Sequence, residues 1–278
     1  MKRARTVMKN RQQPKTQRSE EDELGIRPVG SVVRPRSWAV YGRSGSGKTT
    51  FASTFPRPIL MLDIRDQGND SISDQRDIDE KEIETFDDIE DVYYFLKKNP
   101  KRYKTVVFDT VTQLQQMLLE EMSSGKRRKN GNAGDWGTMT KRDWGDVAAK
   151  MKEWIMNFRN LPMEVVFLAQ ERVSTIEEEE VSDNQLMPEV GPQVMPSVAG
   201  TLNAAVSVIG NTFVGIRTTK KSMTNGKKVS KREARYRLRV GPNPVYTTKL
   251  RKPKKIEPPA WIDNPTYADV IAINKGED

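Results

Sequence analysis

Residues 42–49, Gly42-Arg43-Ser44-Gly45-Ser46-Gly47-Lys48-Thr49, meet the spacing G-x-x-x-x-G-K-[ST] in full. They follow a short apolar run at 37–41 and lead into a segment that reads as a helix over 49–55. The glycines let the backbone curl until successive N–H groups point inward, and the helix start adds its positive end. A loop of that kind holds the phosphates of a nucleotide. Lys48 is placed to reach the β- and γ-phosphates, and the Thr49 hydroxyl to ligate Mg²⁺. Arg43, Ser44, Ser46 and Thr50 belong to the same cradle, and ATP with Mg²⁺ is the expected cofactor.

A second candidate follows at Lys104-Thr105-Val106-Val107-Phe108-Asp109-Thr110, an apolar strand ending in an acid. Asp109 has the character of a Walker B aspartate, which holds Mg²⁺ through water. The chain has no cysteine and no histidine. Disulfides, thiol catalysis, an imidazole base and the commonest zinc ligand are thereby excluded, and carboxylates are left to do any proton or metal chemistry.

Two phosphate-site motifs need a frame, and the pattern around them supplies one. Apolar runs at 37–41, 58–62, 105–108 and 165–168 read as buried strands. Between them, residues 87–98, 112–122 and 143–159 have helical spacing, with Val92, Phe95 and Leu96 on one face of the first. Alternating strands and helices imply an α/β fold with a mainly parallel sheet flanked by helices. Residues 211–217 and 234–240 read as a C-terminal β-hairpin around Thr224-Asn225-Gly226. Residues 123–135 and the polar segment 171–192 read as unpacked loops. Residues 1–30 are polar and basic, a disordered arm, and 31–278 make a single domain.

The net charge of +9 conceals a polarised chain. Residues 63–91 hold 13 acidic and 3 basic side chains, a local charge of −10, so the remainder carries +19. An excess of that size suits a polyanion such as nucleic acid, and it serves solubility as well. No run of 18 apolar residues is present and the basic N-terminus lacks the apolar core of a signal peptide, so a cytoplasmic protein without a membrane role is expected.

The segments YGRSGSGKTTFASTFPRPILMLD, YKTVVFDTVTQLQ, VVFLAQER, PEVGPQVMPSVAGTLNAAVSVIGNTF and YRLRVGPNPVYTTKLRKP resemble phage nucleotide-binding proteins with a RecA-like core. That group includes single-strand annealing ATPases of phage recombination, and the resemblance covers roughly residues 36–267. It implies a RecA-like P-loop NTPase fold of AAA type and, if a phage encodes the chain, the host cytoplasm as its location. It also implies a glutamate just after the second strand, in a D-x-E arrangement, to polarise the attacking water. Asp63-Ile64-Arg65-Asp66 stands there instead, with Arg65 in the glutamate's place. Asp66 is then the first candidate, Asp63 the alternative, and weak hydrolysis a third outcome. By the same resemblance Gln170 senses the γ-phosphate after the strand 165–168, and Lys249-Leu250-Arg251 matches the K-x-R pair that such subunits extend into a neighbour's site. The active form would be a homo-oligomer.

RecA-like cores present two loops to single-stranded DNA. The first would be 123–143, with Lys126, Arg127, Arg128 and Lys129 to neutralise phosphates and Trp136 to stack on a base. Trp144 is expected to pack. The second loop carries Glu177-Glu178-Glu179-Glu180, which repels phosphate. Lys220, Lys221, Lys227, Lys228, Lys231 and Arg232 on the hairpin form a further basic candidate. The expected function is a DNA-stimulated ATPase that binds single-stranded DNA and assists recombination or annealing, with a phage single-strand-binding or annealing protein as a possible partner. A nucleotide-gated loader with little hydrolysis and a P-loop small-molecule kinase are the alternatives.

Overall fold

A computed structural model of the chain describes residues 24–28, 34–65, 68–130, 140–174, 189–222 and 228–276. In chain order the elements are β1 (Ser37–Gly42), α1 (Lys48–Ala52), β2 (Ile59–Asp63), a 3-10 turn (Gly68–Ile72), β3 (Ile78–Glu82), α2 (Phe86–Lys98), β4 (Thr105–Asp109) and α3 (Val111–Asn130). There follow α4 (Lys141–Arg159), β5 (Glu164–Ser174), β6 (Glu189–Pro192), α5 (Pro196–Ala205), β7 (Val208–Ser222), β8 (Lys228–Arg239), β9 (Lys249–Leu250), β10 (Ile262–Asp263) and α6 (Tyr267–Lys275).

The main sheet runs β10-β8-β7-β1-β5-β4-β2-β3. From β7 to β3 every neighbouring pair is parallel. The β7–β8 hairpin and its partner β10 are antiparallel. One strand, β5, separates the phosphate-loop strand β1 from β4, the strand that ends in Asp109. This is the α/β arrangement expected, a mainly parallel sheet flanked by helices with the C-terminal hairpin in place.

The central strands are short and apolar throughout because both sheet faces are covered. On one face, α2, α3, α4 and α5 bury Phe108, Phe167, Trp154, Phe158 and Leu202. On the other, Trp38, Met61, Val107 and Val166 meet Phe51 of α1, Phe55 and Val270 of α6. Trp38, Phe51 and Phe55 pack edge to face, with the Trp38 and Phe55 ring centres 4.9 Å apart. Each of these fully buried side chains stabilises the fold by about 1.5–3 kcal/mol. The cluster fixes α1, and with it the loop that α1 follows, against the sheet.

Helix starts are written into the sequence. In α2, α4 and α6 a threonine N-cap is paired with an aspartate three residues on, Thr85–Asp88, Thr140–Asp143 and Thr266–Asp269. Each pair satisfies backbone donors that the helix leaves open.

Several expectations need correction. Phe95 is exposed, and Phe86, Ile89, Val92 and Leu96 form the inner face of α2. Helix α3 runs on to Asn130, through what reads as a loop: lysine and arginine are good helix formers, and cations suit the negative end of a helix. The helix at 49–55 ends at Ala52, and Ser53 caps it. Strand β5 continues to Ser174 and pairs antiparallel with β6, so both ends of the segment 171–192 are packed. Trp144 is exposed rather than packed. The acidic stretch contains β3, which the sequence reading missed. It is an edge strand whose outward Asp79, Glu80 and Glu82 erase the apolar signal while discouraging edge pairing. The arm at 1–30 lies outside the described residues except for 24–28, which are exposed.

Candidate active site

The phosphate loop leaves β1 at Gly42, whose backbone packs so tightly that a β-carbon there would collide with Thr212 of β7. Gly45 and Gly47 adopt positive φ, 72° and 89°, a region that L side chains rarely enter. These two residues turn the chain into α1. Ser46 Oγ and Thr212 Oγ1 lie 2.7 Å apart, and the Thr212 hydroxyl also donates to Tyr41 O at 3.3 Å. The loop is thus tied to the sheet from the hairpin side.

Lys48 is buried at the centre of the loop. Its Nζ donates to Gly42 O and Arg43 O, each at 3.1 Å, and to Gln170 Oε1 at 3.3 Å. Gln170 stands in register with Gly42 across β1 and β5, and its own N–H is held by Thr112 Oγ1 at 3.0 Å. The Thr49 hydroxyl donates to Asp109 Oδ2 at 2.7 Å. A hydroxyl from the start of α1 beside a carboxylate at the end of β4 gives hard oxygen donors, which suit Mg²⁺. The positive-φ glycines of the loop, the buried lysine and this oxygen pair together fit a nucleoside triphosphate with its magnesium.

The remaining sequence candidates are placed as follows. Arg43 and Ser44 are exposed on the loop, and Thr50 is exposed on the first turn of α1. Asp66 lies outside the described residues, as do Trp136 and residues 177–180. Arg65, with φ of 56°, pairs with Glu120 of α3 at 2.5 Å. That bond, with one from Gln116, holds the Glu120 carboxyl below the usual glutamate range. Lys126, Arg127, Arg128 and Lys129 fall in the last turns of α3.

Lys249 and Arg251 do share a face, since both donate to the C-terminal carbonyls of α5. Lys249 Nζ reaches Asn203 O at 2.7 Å, and Arg251 Nη2 reaches Ala204 O at 3.2 Å. Burial first, and then the neighbouring Arg251 and Arg159, lower the Lys249 pKa. Leu250 pairs with Val208, which pairs with Trp38, near the start of β1. The phosphate loop leaves the far end of that strand, four residues or roughly 13 Å away. The two cations therefore do not serve the phosphate site of their own chain.

Some neighbours of the site carry no sequence motif. The Tyr236 ring of β8 lies against the loop, close enough that a β-carbon at Gly47 would stand 3.0 Å from it. It is half exposed, directly opposite Val214 and next to Ile216, so an apolar strip continues past the loop along the hairpin. On the other sheet face, Arg43 Nε pairs with Glu171 Oε1 at 3.3 Å, and Glu171 accepts from Asn211 Nδ2 at 3.1 Å. The alternation of β8 signals only that Tyr236 shares a face with Leu238; its place beside Gly47 comes from the strand order.

Residues 34–248 match a family model described as an AAA domain. Among solved structures, a KaiC-like protein from the hyperthermophilic archaeon Pyrococcus horikoshii is 11% identical, covering 85% of this chain and 92% of its own, with a TM-score of 0.40. The flagellar accessory protein FlaH from Methanocaldococcus jannaschii is 10% identical, covering 79% and 83%, with a TM-score of 0.32. No curated protein matches the chain. Among the described residues no helix is long and apolar enough to cross a membrane.

Proposed function

Because the chain belongs to this AAA domain family, we propose that it is an ATPase whose nucleotide cycle governs its hold on single-stranded DNA, in recombination or annealing of the phage type. Nucleotide binding rests on the family and the fold. The observation that carries the magnesium-dependent ATPase reading is the 2.7 Å bond between Thr49 and Asp109, which brings the two expected magnesium ligands together from elements sixty residues apart. Thr49 and Asp109 would hold Mg²⁺, which would supply neutralisation of phosphate charge. Lys48 adds a cation from the loop. Gln170, which accepts from Lys48, exchanges that contact for the γ-phosphate and so couples nucleotide state to its strand.

The Tyr236 ring and the strip beside it give the nucleobase an apolar seat next to the phosphates. Lys249 and Arg251, remote from their own phosphate loop, serve a neighbouring subunit's site, and the working form is an oligomer. The cations at the end of α3 contact DNA phosphates, in keeping with the +19 carried outside the acidic stretch.

Binding of a labelled single strand, measured by fluorescence anisotropy with ATP and with ADP, tests this reading. Charge reversal at Lys126–Lys129 is expected to weaken binding and to flatten its salt dependence, by about 0.7 in the log–log slope for each DNA phosphate that is no longer neutralised. Binding indifferent to nucleotide and to that reversal removes DNA from the reading. A loader with slow turnover is a second reading, favoured by the Arg65–Glu120 pair, which puts a cation where the family resemblance implies a glutamate.

A further inference from the structure

Hydrolysis requires a group that fixes a water in line with the γ-phosphate and takes its proton. With no histidine in the chain, that group is sought among carboxylates. Three of them end parallel strands in one row. Asp109 on β4 is level with Asp63 on β2, and Asp63 with Glu82 on β3. Strands in parallel register point level side chains the same way. Met61 and Val107, two residues before Asp63 and Asp109, pack with Phe51 of α1. The row therefore faces the side of the sheet on which Thr49 meets Asp109.

Spacing separates the three. Neighbouring strands lie about 4.8 Å apart, which puts Asp63 about 5 Å and Glu82 about 10 Å from the strand position of Asp109. Asp109 is committed to the Thr49 hydroxyl. Glu82 is exposed at the sheet edge. Asp63 is only 6% exposed. Backbone bonds Ile64 N to Asp109 O and Ile83 N to Asp63 O, both 2.8 Å, extend the ladder past it on each side and fix its distance from Asp109. Asp63 and Glu82 both border a cavity of about 720 Å³ that Asp70, Ser73, Gln75 and Glu80 also line, polar enough to hold water; of the two, Asp63 is level with Asp109 on the adjacent strand. Glu171, the acid nearest the loop on β5, pairs with Arg43 and Asn211 on the opposite face.

We propose that Asp63 is the residue that orients the attacking water and accepts its proton. The inference rests on the ATPase reading and names the group that completes it. The water oxygen bonds to the γ-phosphorus as the bond to the bridging oxygen breaks, and ADP leaves with that electron pair. The water proton passes to an Asp63 oxygen and is then released into the adjoining cavity, which restores the carboxylate.

The test uses the full chain as wild type, Asp63→Asn, the rival Asp66→Asn, and Glu82→Gln as control. It measures ATP affinity, Mg²⁺-dependent turnover, and trapping of ADP with aluminium fluoride, a mimic of the attacked phosphate. Asp63→Asn is expected to bind ATP as wild type does, with KM little changed, to lose turnover by about 100-fold or more, and to fail to trap the fluoride complex. Glu82→Gln, at the exposed sheet edge, is expected to keep wild-type turnover. Turnover retained in Asp63→Asn, a loss that excess Mg²⁺ restores, or turnover lost in Asp66→Asn but kept in Asp63→Asn would each overturn the assignment. Should the amide variant lose its folded spectrum, Asp63→Glu is measured instead. A folded, ATP-binding protein with turnover cut at least about tenfold supports the role, and full turnover overturns it. A wild-type chain that binds ATP but never turns it over removes the ATPase reading and Asp63 with it, whereas an active wild type with an active Asp63→Asn removes Asp63 alone.

Discussion

Lys48 Nζ donates to Gln170 Oε1 at 3.3 Å, joining the phosphate loop to the strand that lies between it and the metal pair. The contact links residues far apart in sequence and stands where a γ-phosphate would compete for both partners. Removing the amide leaves the loop glycines, Lys48 and Thr49 in place. Gln170→Ala should therefore bind ATP within a few-fold of wild type while turnover falls by about tenfold or more. Isothermal titration beside a phosphate-release assay separates the two effects, and equal loss of both would assign Gln170 to ground-state binding.

The Tyr236 ring lies against Gly47, and the proposed seat for the base makes a distinct prediction. Aromatic stacking of this kind contributes about 0.5–1.5 kcal/mol. Tyr236→Ala should weaken ATP by roughly three- to tenfold and leave inorganic tripolyphosphate unaffected. Competition of each against a fluorescent nucleotide gives the comparison. Equal weakening of both ligands would mean that the ring supports the loop instead of the base.

Arg251 and Lys249 sit on the C-terminal carbonyls of α5, about a strand's length from their own phosphate loop. If they act on a neighbour, Arg251→Ala abolishes turnover and spares ATP binding. Mixing it with Lys48→Ala then restores part of the activity, since some subunit interfaces join an intact loop to an intact arginine. A mixture as inactive as its components, with melting temperature lowered in Arg251→Ala, would reduce the pair to a cap on α5.

Glu164 gives the pH prediction. Its carboxylate accepts from Trp38 Nε1 at 2.7 Å and from Arg36 N at 3.0 Å, and burial still raises its pKa above the ordinary 4.5. A raised carboxylate binds more protons folded than unfolded, so it lowers stability as pH rises from about 4.5 through the folded value. Thermal melts across that window should fall more steeply in wild type than in Glu164→Gln. Parallel curves would show that the group titrates alike in both states.

Much of this was legible in the residues themselves. The spacing of Gly42, Gly47, Lys48 and Thr49 and the apolar run ending in Asp109 announce the phosphate site, and the structure brings Thr49 and Asp109 into contact. The parallel sheet follows from strands that are apolar on both faces. Contacts across the sheet were not legible. Nothing local places Tyr236 on Gly47 or Asp63 level with Asp109, because both depend on strand order and register. β3 escaped because an edge strand needs only one apolar anchor, Ile78, and the end of α3 escaped because charge and glycine read as loop.

Mg²⁺-dependent phosphate release from ATP, by wild type and Lys48→Ala, with and without single-stranded DNA, tests the central claim most directly. The account predicts turnover that needs Mg²⁺, rises when the strand is added, and disappears in Lys48→Ala. A rate unchanged by Lys48→Ala would contradict the site, and a wild-type rate that no single strand alters would contradict its coupling to DNA.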